Sequence, residues 1–378
     1  MKTGIYIHSG SGTGFVGVQK KIDDQIGILS QYFDVTEVVI KKEKTSLLKS
    51  MVWRMPGGSW GAHYRESFNI INSINEEKNG VGFFYIRIRP LDRRFVEFLK
   101  AIRHSFPESK IILEYPQYPY LHEYLHSSTM WPWALKDIVY RHNIRKIADR
   151  IVTYSDDDSI MGITTIRTMN GITVHGIKYK KDIADDCIDL IAVASMQRHH
   201  GYERIIRGIK RYVSSGGDRN IKLHLVGQGP QNEYYKSLSV KLGIADRIVF
   251  WGNKHGEELE ELFEMADIGL GSMGFHLIGA QNTISSTLKT REYLAHGLPF
   301  LSACNEDIFM KYPDTGFFRH YPDDETDIPI DDVIRFYDEL LNRYSGNEDR
   351  LREDIHEFAA KTVDMSVVMR PVVDFIKS

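Results

Sequence analysis

Short apolar runs alternate with stretches of helical period along almost the whole chain, and this restricts it to α/β architectures more firmly than any single motif does. In the first half the runs are "GIYIH" (4–8), "VTEVVI" (35–40), "VGFFYIRI" (81–88), "KIILEY" (110–115) and "RIVTYS" (150–155), separated by helical patterns near 17–31, 62–77, 92–105 and 133–148. The second half repeats the style. "DLIAVAS" (189–195), "IKLHLVG" (221–227), "RIVFWG" (247–252), "DIGLGS" (267–272) and "PFLSA" (299–303) alternate with helical patterns near 202–214, 230–242, 256–265, 288–296 and 305–311. Runs without polar alternation suit strands covered on both faces, as in parallel sheets with helices above and below. Two such series imply two doubly wound, Rossmann-like domains, which suits 378 residues. The turn- and lysine-rich segment 169–182 marks the seam, giving domains at 1–172 and 173–360. The helical tail, broken at "YSGN", ends in a segment 361–378 expected to pack back on the first domain.

The formal net charge of −3 says little, but residues 1–172 carry 23 Lys+Arg against 18 Asp+Glu, while the remainder carry 25 against 33. A basic first half and an acidic second half suggest different partners for each. No nucleic-acid recognition module is visible in the basic half. Two cysteines, Cys187 and Cys304, make neither a disulfide framework nor a zinc cluster and point to a reducing, cytoplasmic setting. The start "MKTGIYIHSG" reads as a first strand and not as a signal peptide, and no apolar run approaches the ~20 residues of a membrane span.

After the first strand, "HSGSGTGFVG" sets Gly12, Gly14 and Gly17 in a G-x-G-x-x-G pattern that opens a helix. One reading is a dinucleotide loop of a nicotinamide-dependent oxidoreductase, with pyrophosphate at the helix N-terminus. That reading calls for an acid at the end of the second strand, where "VVIKKEK" places Lys41 and Lys42. The others are a plain glycine turn, or a loop whose amides face a phosphate or an acceptor sugar.

"STLKTREYLAHGLPF" (286–300) offers Ser286 and Thr287 as N-caps and puts Lys289 and Glu292 on one face, three residues apart. A helix start with an added cation is an anion site, and an acid one turn further on is well placed for ribose hydroxyls beside a phosphate. The alternative is an exposed ion pair worth a few tenths of a kcal/mol.

In its context this stretch resembles the donor-nucleotide helix of the retaining family 4 glycosyltransferases, which have the GT-B fold. Further segments follow in the family's order: "NGITV" (170–174), "IAVASMQRHHGYERIIRGIKRY" (191–212), the run 223–272 from "LHLVGQGP" to "DIGLGS", and the N-terminal "GTGFVGVQKKIDDQIGILSQYFDVTEVV". The resemblance implies a nucleotide-diphospho-sugar donor bound in a cleft between the domains. Glu292 would hold the ribose; Ser286, Thr287 and the amides around Leu288 would meet the diphosphate. Gly227 and Gly229 would form a turn that lets the nucleotide approach, Trp251 to Lys254, including Asn253, would read the base, and Gly17 would lie near the diphosphate and the transferring sugar. The chain departs from the family pattern at Ile284, where a sugar-binding glutamate is common, and at Ser195 and His200, where an arginine and a lysine are common. Lys289, Arg198 and His200 are therefore the candidates for stabilising the leaving group, in place of a metal. The "SDDDS" stretch (155–159) reads as a helix-capping loop.

The first domain would bind the acceptor, with Tyr118, Tyr120 and Glu123 after the fourth strand and His8 at the end of the first. The segments 41–60 and 130–146 mix bases with tryptophan, which fits peripheral attachment to an anionic membrane face, where lipid-linked acceptors reside. The resemblance thus implies a metal-independent retaining transferase that builds a cell-surface glycan and needs no cofactor beyond its donor. A non-catalytic binding module of the same fold is the remaining alternative.

Overall fold

The computed structural model describes residues 1–9, 16–41, 64–88, 90–115, 118, 121, 125, 131–179, 187–280 and 284–378. The chain divides into two compact units, one of residues 1–169 and 365–378, the other of residues 170–364.

The first unit is built on a seven-stranded sheet in the order β2-β1-β3-β4-β5-β7-β6. Its strands are β1 (Thr3–His8), β2 (Asp34–Val39), β3 (Phe83–Arg87), β4 (Lys110–Glu114), β5 (Arg150–Thr153), β6 (Ser159–Ile160) and β7 (Ile163–Arg167). All neighbours are parallel except β6 and β7. Ile5, Ile7, Phe84, Ile86, Ile111 and Leu113 fill the core on one face against the Tyr64–Lys78 and Arg93–Ser105 helices. The order turns back between β1 and β3, which makes their carboxyl ends the switch point where ligands bind in such sheets. The final segment belongs to this unit: Lys2 and Lys110 donate to the carbonyls of Ile376 (2.8 Å) and Phe375 (2.6 Å).

The second unit has a six-stranded, all-parallel sheet in the order β10-β9-β8-β11-β12-β13. These are β8 (Cys187–Val193), β9 (Asn220–Val226), β10 (Ile248–Gly252), β11 (Ile268–Leu270), β12 (Phe300–Ser302) and β13 (Phe318–His320). Here the switch point lies between β8 and β11.

Three local readings need correction. "SDDDS" does not cap a helix: Ser155 Oγ donates to Asp157 (2.7 Å), Thr165 N to the Asp158 carbonyl (3.0 Å), and the stretch leads into the β6–β7 hairpin. The helix read over 133–148 is α-helical only over Trp131–Tyr140 and continues as a 3₁₀ turn, Arg141–Lys146. The strands β6, β7 and β13 were not foreseen, being short segments at or next to a sheet edge with polar residues in their pattern.

Candidate active site

Every donor-side residue singled out in the second half lies at the carboxyl edge of the six-stranded sheet. Arg198 and His200 follow β8, Gly227 and Gly229 follow β9, Asn253 and Lys254 follow β10, and Ser286 to Glu292 lie on the connection between β11 and β12.

The Leu288–Ala295 helix begins at Thr287, whose extended backbone (φ −83°, ψ 137°) is that of an N-cap. Its cap comes from elsewhere. Glu306, after β12, accepts hydrogen bonds from Thr287 N (3.3 Å) and Thr287 Oγ1 (2.9 Å). The next amides, on Leu288, Lys289 and Thr290, find no hydrogen-bond acceptor among the described residues. The start of the helix is therefore closed on its inner side by Glu306 and keeps its first-turn donors. Ser286 is similarly engaged: its Oγ accepts from Asn170 N (2.9 Å) and Arg291 Nη2 (3.2 Å). Thr287 thus has its amide and hydroxyl committed to the protein, and the amides after it are the ones left to meet a phosphate.

Beneath the helix start is a fully buried ionic cluster that no local pattern announces. Arg291, 0% exposed, pairs with Asp307 and with Glu306 (3.3 Å) and donates to Thr290 Oγ1 (2.8 Å). Burial raises the Glu306 carboxyl to about 7, against the pull of Arg291.

Lys289 is different. Its half-buried ammonium stands 3.4 Å from Tyr202 Oη and 3.3 Å from Ser272 Oγ, and among the described residues it forms no ion pair. Burial lowers it to about 8, against the pull of the Cys304 and Glu306 side chains. A cation pressed out of water, hydrogen-bonded only to hydroxyls among the described residues, is placed to receive an anion. Glu292, half-buried, follows one turn later.

His200 does not supply the cation proposed for it. It is buried, stacks on Tyr202 (5.6 Å between centroids), and its Nδ1 accepts from Gln197 N (2.9 Å). Burial and the neighbouring Lys289 hold it neutral well below the ordinary histidine range, so its proton sits on Nε2. It is a neutral donor. His199 is lowered to about 4 by burial first and Lys289 second. Arg198 is exposed, as is Ser195.

The glycine turn after β9 also has another reason than the one expected. A Cβ on Gly227 (φ +121°) would come within 1.9 Å of the Ala194 carbonyl oxygen, and one on Gly229 within 1.9 Å of the Ser195 carbonyl oxygen. What approaches these glycines is the chain's own loop after β8, which they hold in place. At the end of β10, Asn253 is exposed, and Lys254 pairs with Glu258. Trp251 donates through Nε1 to His224 Nδ1 (3.0 Å), and His224 in turn donates to Asp189 (2.7 Å), which fixes the indole edge inward.

In the first unit, Gly17 is exposed in the opening turn of the Val16–Ser30 helix. His8 is buried and its Nε2 meets Glu37 at 2.6 Å. Tyr118 packs against the core and sits edge-on to Tyr115 (6.2 Å). Tyr120, Glu123, Gly12 and Gly14 lie outside the described residues.

Residues 177–271 match the protein family described as Glycosyl transferases group 1. That stretch lies within the second unit, and over it the chain resembles that family. An uncharacterized glycosyltransferase of Methanocaldococcus jannaschii is 28% identical over 94 residues, which are 24% of this chain and 23% of that protein. The match therefore spans about a quarter of the curated relative. The GT-B likeness runs through the whole chain. A glycosyltransferase from Rickettsia africae ESF-5 superposes with a TM-score of 0.64 at 11% identity, covering 100% of this chain and 98% of that one. Anabaena HepE, solved with UDP, gives 0.61 at 12% over 100% of both chains. WaaG, a glycosyltransferase involved in lipopolysaccharide biosynthesis, gives 0.60 at 13%, again over 100% of both.

Proposed function

We propose that the protein is a retaining glycosyltransferase that takes a sugar from a nucleotide-diphospho-sugar and passes it to a glycan or lipid-linked acceptor in cell-surface polysaccharide synthesis. The observation that carries this reading is the Lys289 ammonium, without an ion pair among the described residues, on the first turn of a helix whose leading amides have no acceptor among those residues. The diphosphate accepts from the amides of Leu288, Lys289 and Thr290 and pairs with Lys289, while Nε2–H of His200 and the exposed Arg198 add neutral and charged donors. Glu292 receives the ribose hydroxyls. In the transfer step the bond from the anomeric carbon to the diphosphate oxygen breaks and the acceptor oxygen bonds to that carbon. The acceptor's proton passes to the departing diphosphate, whose growing charge Lys289 meets. UDP, which HepE holds, is the first nucleotide to test. By calorimetry, Glu292→Gln is expected to weaken UDP binding about 10- to 100-fold, the loss of charge-assisted hydrogen bonds, with unchanged melting. Equal affinity in the variant would remove the ribose role.

Attachment to an anionic membrane face, as on the cytoplasmic side of a membrane, is part of the proposal. The Trp131–Tyr140 helix exposes Trp131 (49%), Leu135 (48%), Ile138 (40%) and Val139 (65%), which share one stripe. The adjoining pocket is lined by Lys100, His104, His142, Arg145 and Lys146. No helix among the described residues is long and apolar enough to cross a membrane, so contact would be from the surface. Co-sedimentation with phosphatidylglycerol vesicles but not phosphatidylcholine ones, lost in Trp131→Glu/Val139→Glu, is the expected result. Wild-type protein left in the supernatant with the anionic vesicles would end this part of the reading.

A further inference from the structure

The first unit contains a buried polar cluster that the donor chemistry does not use. Glu114, the last residue of β4, is 0% exposed. Its Oε1 accepts from Lys21 Nζ (2.9 Å), Tyr154 Oη (2.5 Å) and Gln25 Nε2 (3.3 Å). Gln25 accepts in turn from Tyr6 Oη (2.6 Å), and Tyr6 stacks on Tyr85 at 5.0 Å. One oxygen of the carboxylate is thus saturated. Among the described residues the other, Oε2, has no hydrogen-bond partner, and neither has the buried Nη1 of Arg87 that faces it at 3.8 Å.

Arg87 is the last residue of β3 and lies level with Glu114 in the β3–β4 register. Tyr6 lies level with Tyr85 across β1 and β3, so two residues on His8 and Arg87 share the same face at the carboxyl edge. Arg87 therefore stands at the switch point between β1 and β3, the place in a doubly wound sheet where ligands are held. Its side chain keeps 14% of its surface open.

Among the described residues of the cluster the charges do not balance. Although burial alone would raise it, Lys21, Arg87 and the hydrogen bonds it accepts hold the Glu114 carboxyl down at about 2, and Lys21, lowered to about 8 by burial, is still mostly protonated at neutral pH. One carboxylate is shared by two cations, and the nearer contact belongs to Lys21. The surplus positive charge resides on Arg87, whose fork of donors suits a phosphate or carboxylate.

We propose that Arg87 anchors an anionic group, phosphate or carboxylate, of the acceptor substrate at the β1–β3 switch point of the first unit. The inference rests on the glycosyltransferase reading, since it gives the first unit an acceptor to hold, and it narrows the acceptor to one that carries a negative charge beside the hydroxyl that is glycosylated. A neutral oligosaccharide would leave the surplus charge of Arg87 unmet.

The test is titration of the full chain, first saturated with UDP, with inorganic phosphate and with hexyl phosphate. The nucleotide fills the donor site, so the anion heat that follows reports a second site. Wild type is expected to bind both anions, and Arg87→Gln to bind them about tenfold or more weaker. Arg87→Lys, which keeps the charge and loses the fork, should recover part of the affinity, and thermal melting checks that each variant is folded. Tighter binding of hexyl phosphate than of inorganic phosphate would place the anion on a lipid-linked acceptor, and equal binding on a soluble one; both support the site. Anion heat unchanged in a folded Arg87→Gln, or absent from UDP-saturated wild type, overturns the inference. Failure of UDP itself to bind is a separate result that strikes the donor reading.

Discussion

Lys289→Met is expected to lower turnover by about 10²–10³-fold, the usual effect of removing one donor from a leaving-group site, while leaving the fold as stable as before or more so. The wild-type ammonium is half-buried without an ion pair among the described residues, and its contacts to Tyr202 and Ser272 are long, at 3.4 and 3.3 Å. A methionine of similar length removes the burden of burying a charge and gives up little bonding. Stability and activity should therefore move in opposite or independent directions, which a merely structural lysine would not produce. If the charge acts on the departing diphosphate, kcat falls more than KM rises; a rise in KM alone would mean that Lys289 only holds the ground state. The pH dependence gives a second readout. Burial puts the free lysine at about 8, so it is charged below that value and loses its proton above it. Binding of an anion favours the protonated form, so UDP affinity should be at its plateau below pH 8, fall above it, and be accompanied by proton uptake near pH 8–9. The methionine variant should show a flat profile over that range. A wild type as flat as the variant would separate Lys289 from the diphosphate.

The architecture was legible because parallel strands buried on both faces leave unbroken apolar runs. "VGFFYIRI" and "DLIAVAS" became β3 and β8 with ends shifted by a few residues. Of the strands that escaped notice, β6 and β13 are edge strands, and β7, one strand in, alternates buried Ile163 and Ile166 with exposed Thr164 and Arg167, so none of them carries an unbroken apolar run. The helix of Lys289 and Glu292 was legible for a local reason, since caps and one-turn spacings lie within a few residues of each other. What could not be read was anything set by residues distant in sequence. Glu306 caps Thr287 from 19 positions away, and nothing in "KTREY" distinguishes a buried Arg291 from an exposed one. His200 looked like a protonatable substitute for a lysine, and only its burial against Tyr202 and Lys289 shows that it stays neutral. Gly227 and Gly229 looked like room for a ligand, and only the distance to the Ala194 and Ser195 carbonyls shows that they make room for the chain itself. Arg87 drew no reading, because the sharing of Glu114 between it and Lys21 depends on a contact 93 residues apart.

Arg291→Met is expected to cost about 3–5 kcal/mol, because it removes the counter-charge from two buried carboxylates without replacing their hydrogen bonds. Glu306 and Asp307 are 0% and 2% exposed, and Asp307 Oδ2 already lacks a partner. The contrast with Lys289, two positions earlier, lies in the pairing. One cation is surrounded by hydroxyls and its loss relieves the fold; the other is enclosed by carboxylates and its loss exposes them to each other. For a unit of this size the change corresponds to a melting transition lowered by about 10 °C. The sign with pH follows from the carboxyls. Glu306 is already raised to about 7 by burial with Arg291 pulling it down, so without Arg291 it is raised further and is neutral at mildly acid pH. The penalty should therefore be smaller at pH 5, where the orphaned Glu306 carboxyl takes up a proton, and grow as pH rises through 7 and above. Adding Glu306→Gln to Arg291→Met should recover part of the loss at pH 8 and almost none at pH 5, a coupling that a melting series on the four members of the cycle measures directly. Equal losses at both pH values would show that Arg291 stabilises through packing alone. Because Glu306 also holds the amide and hydroxyl of Thr287, the same variant should weaken UDP binding although Arg291 itself is sealed from solvent. A variant that melts early yet binds UDP with full affinity would separate the buried cluster from the geometry of the helix start above it.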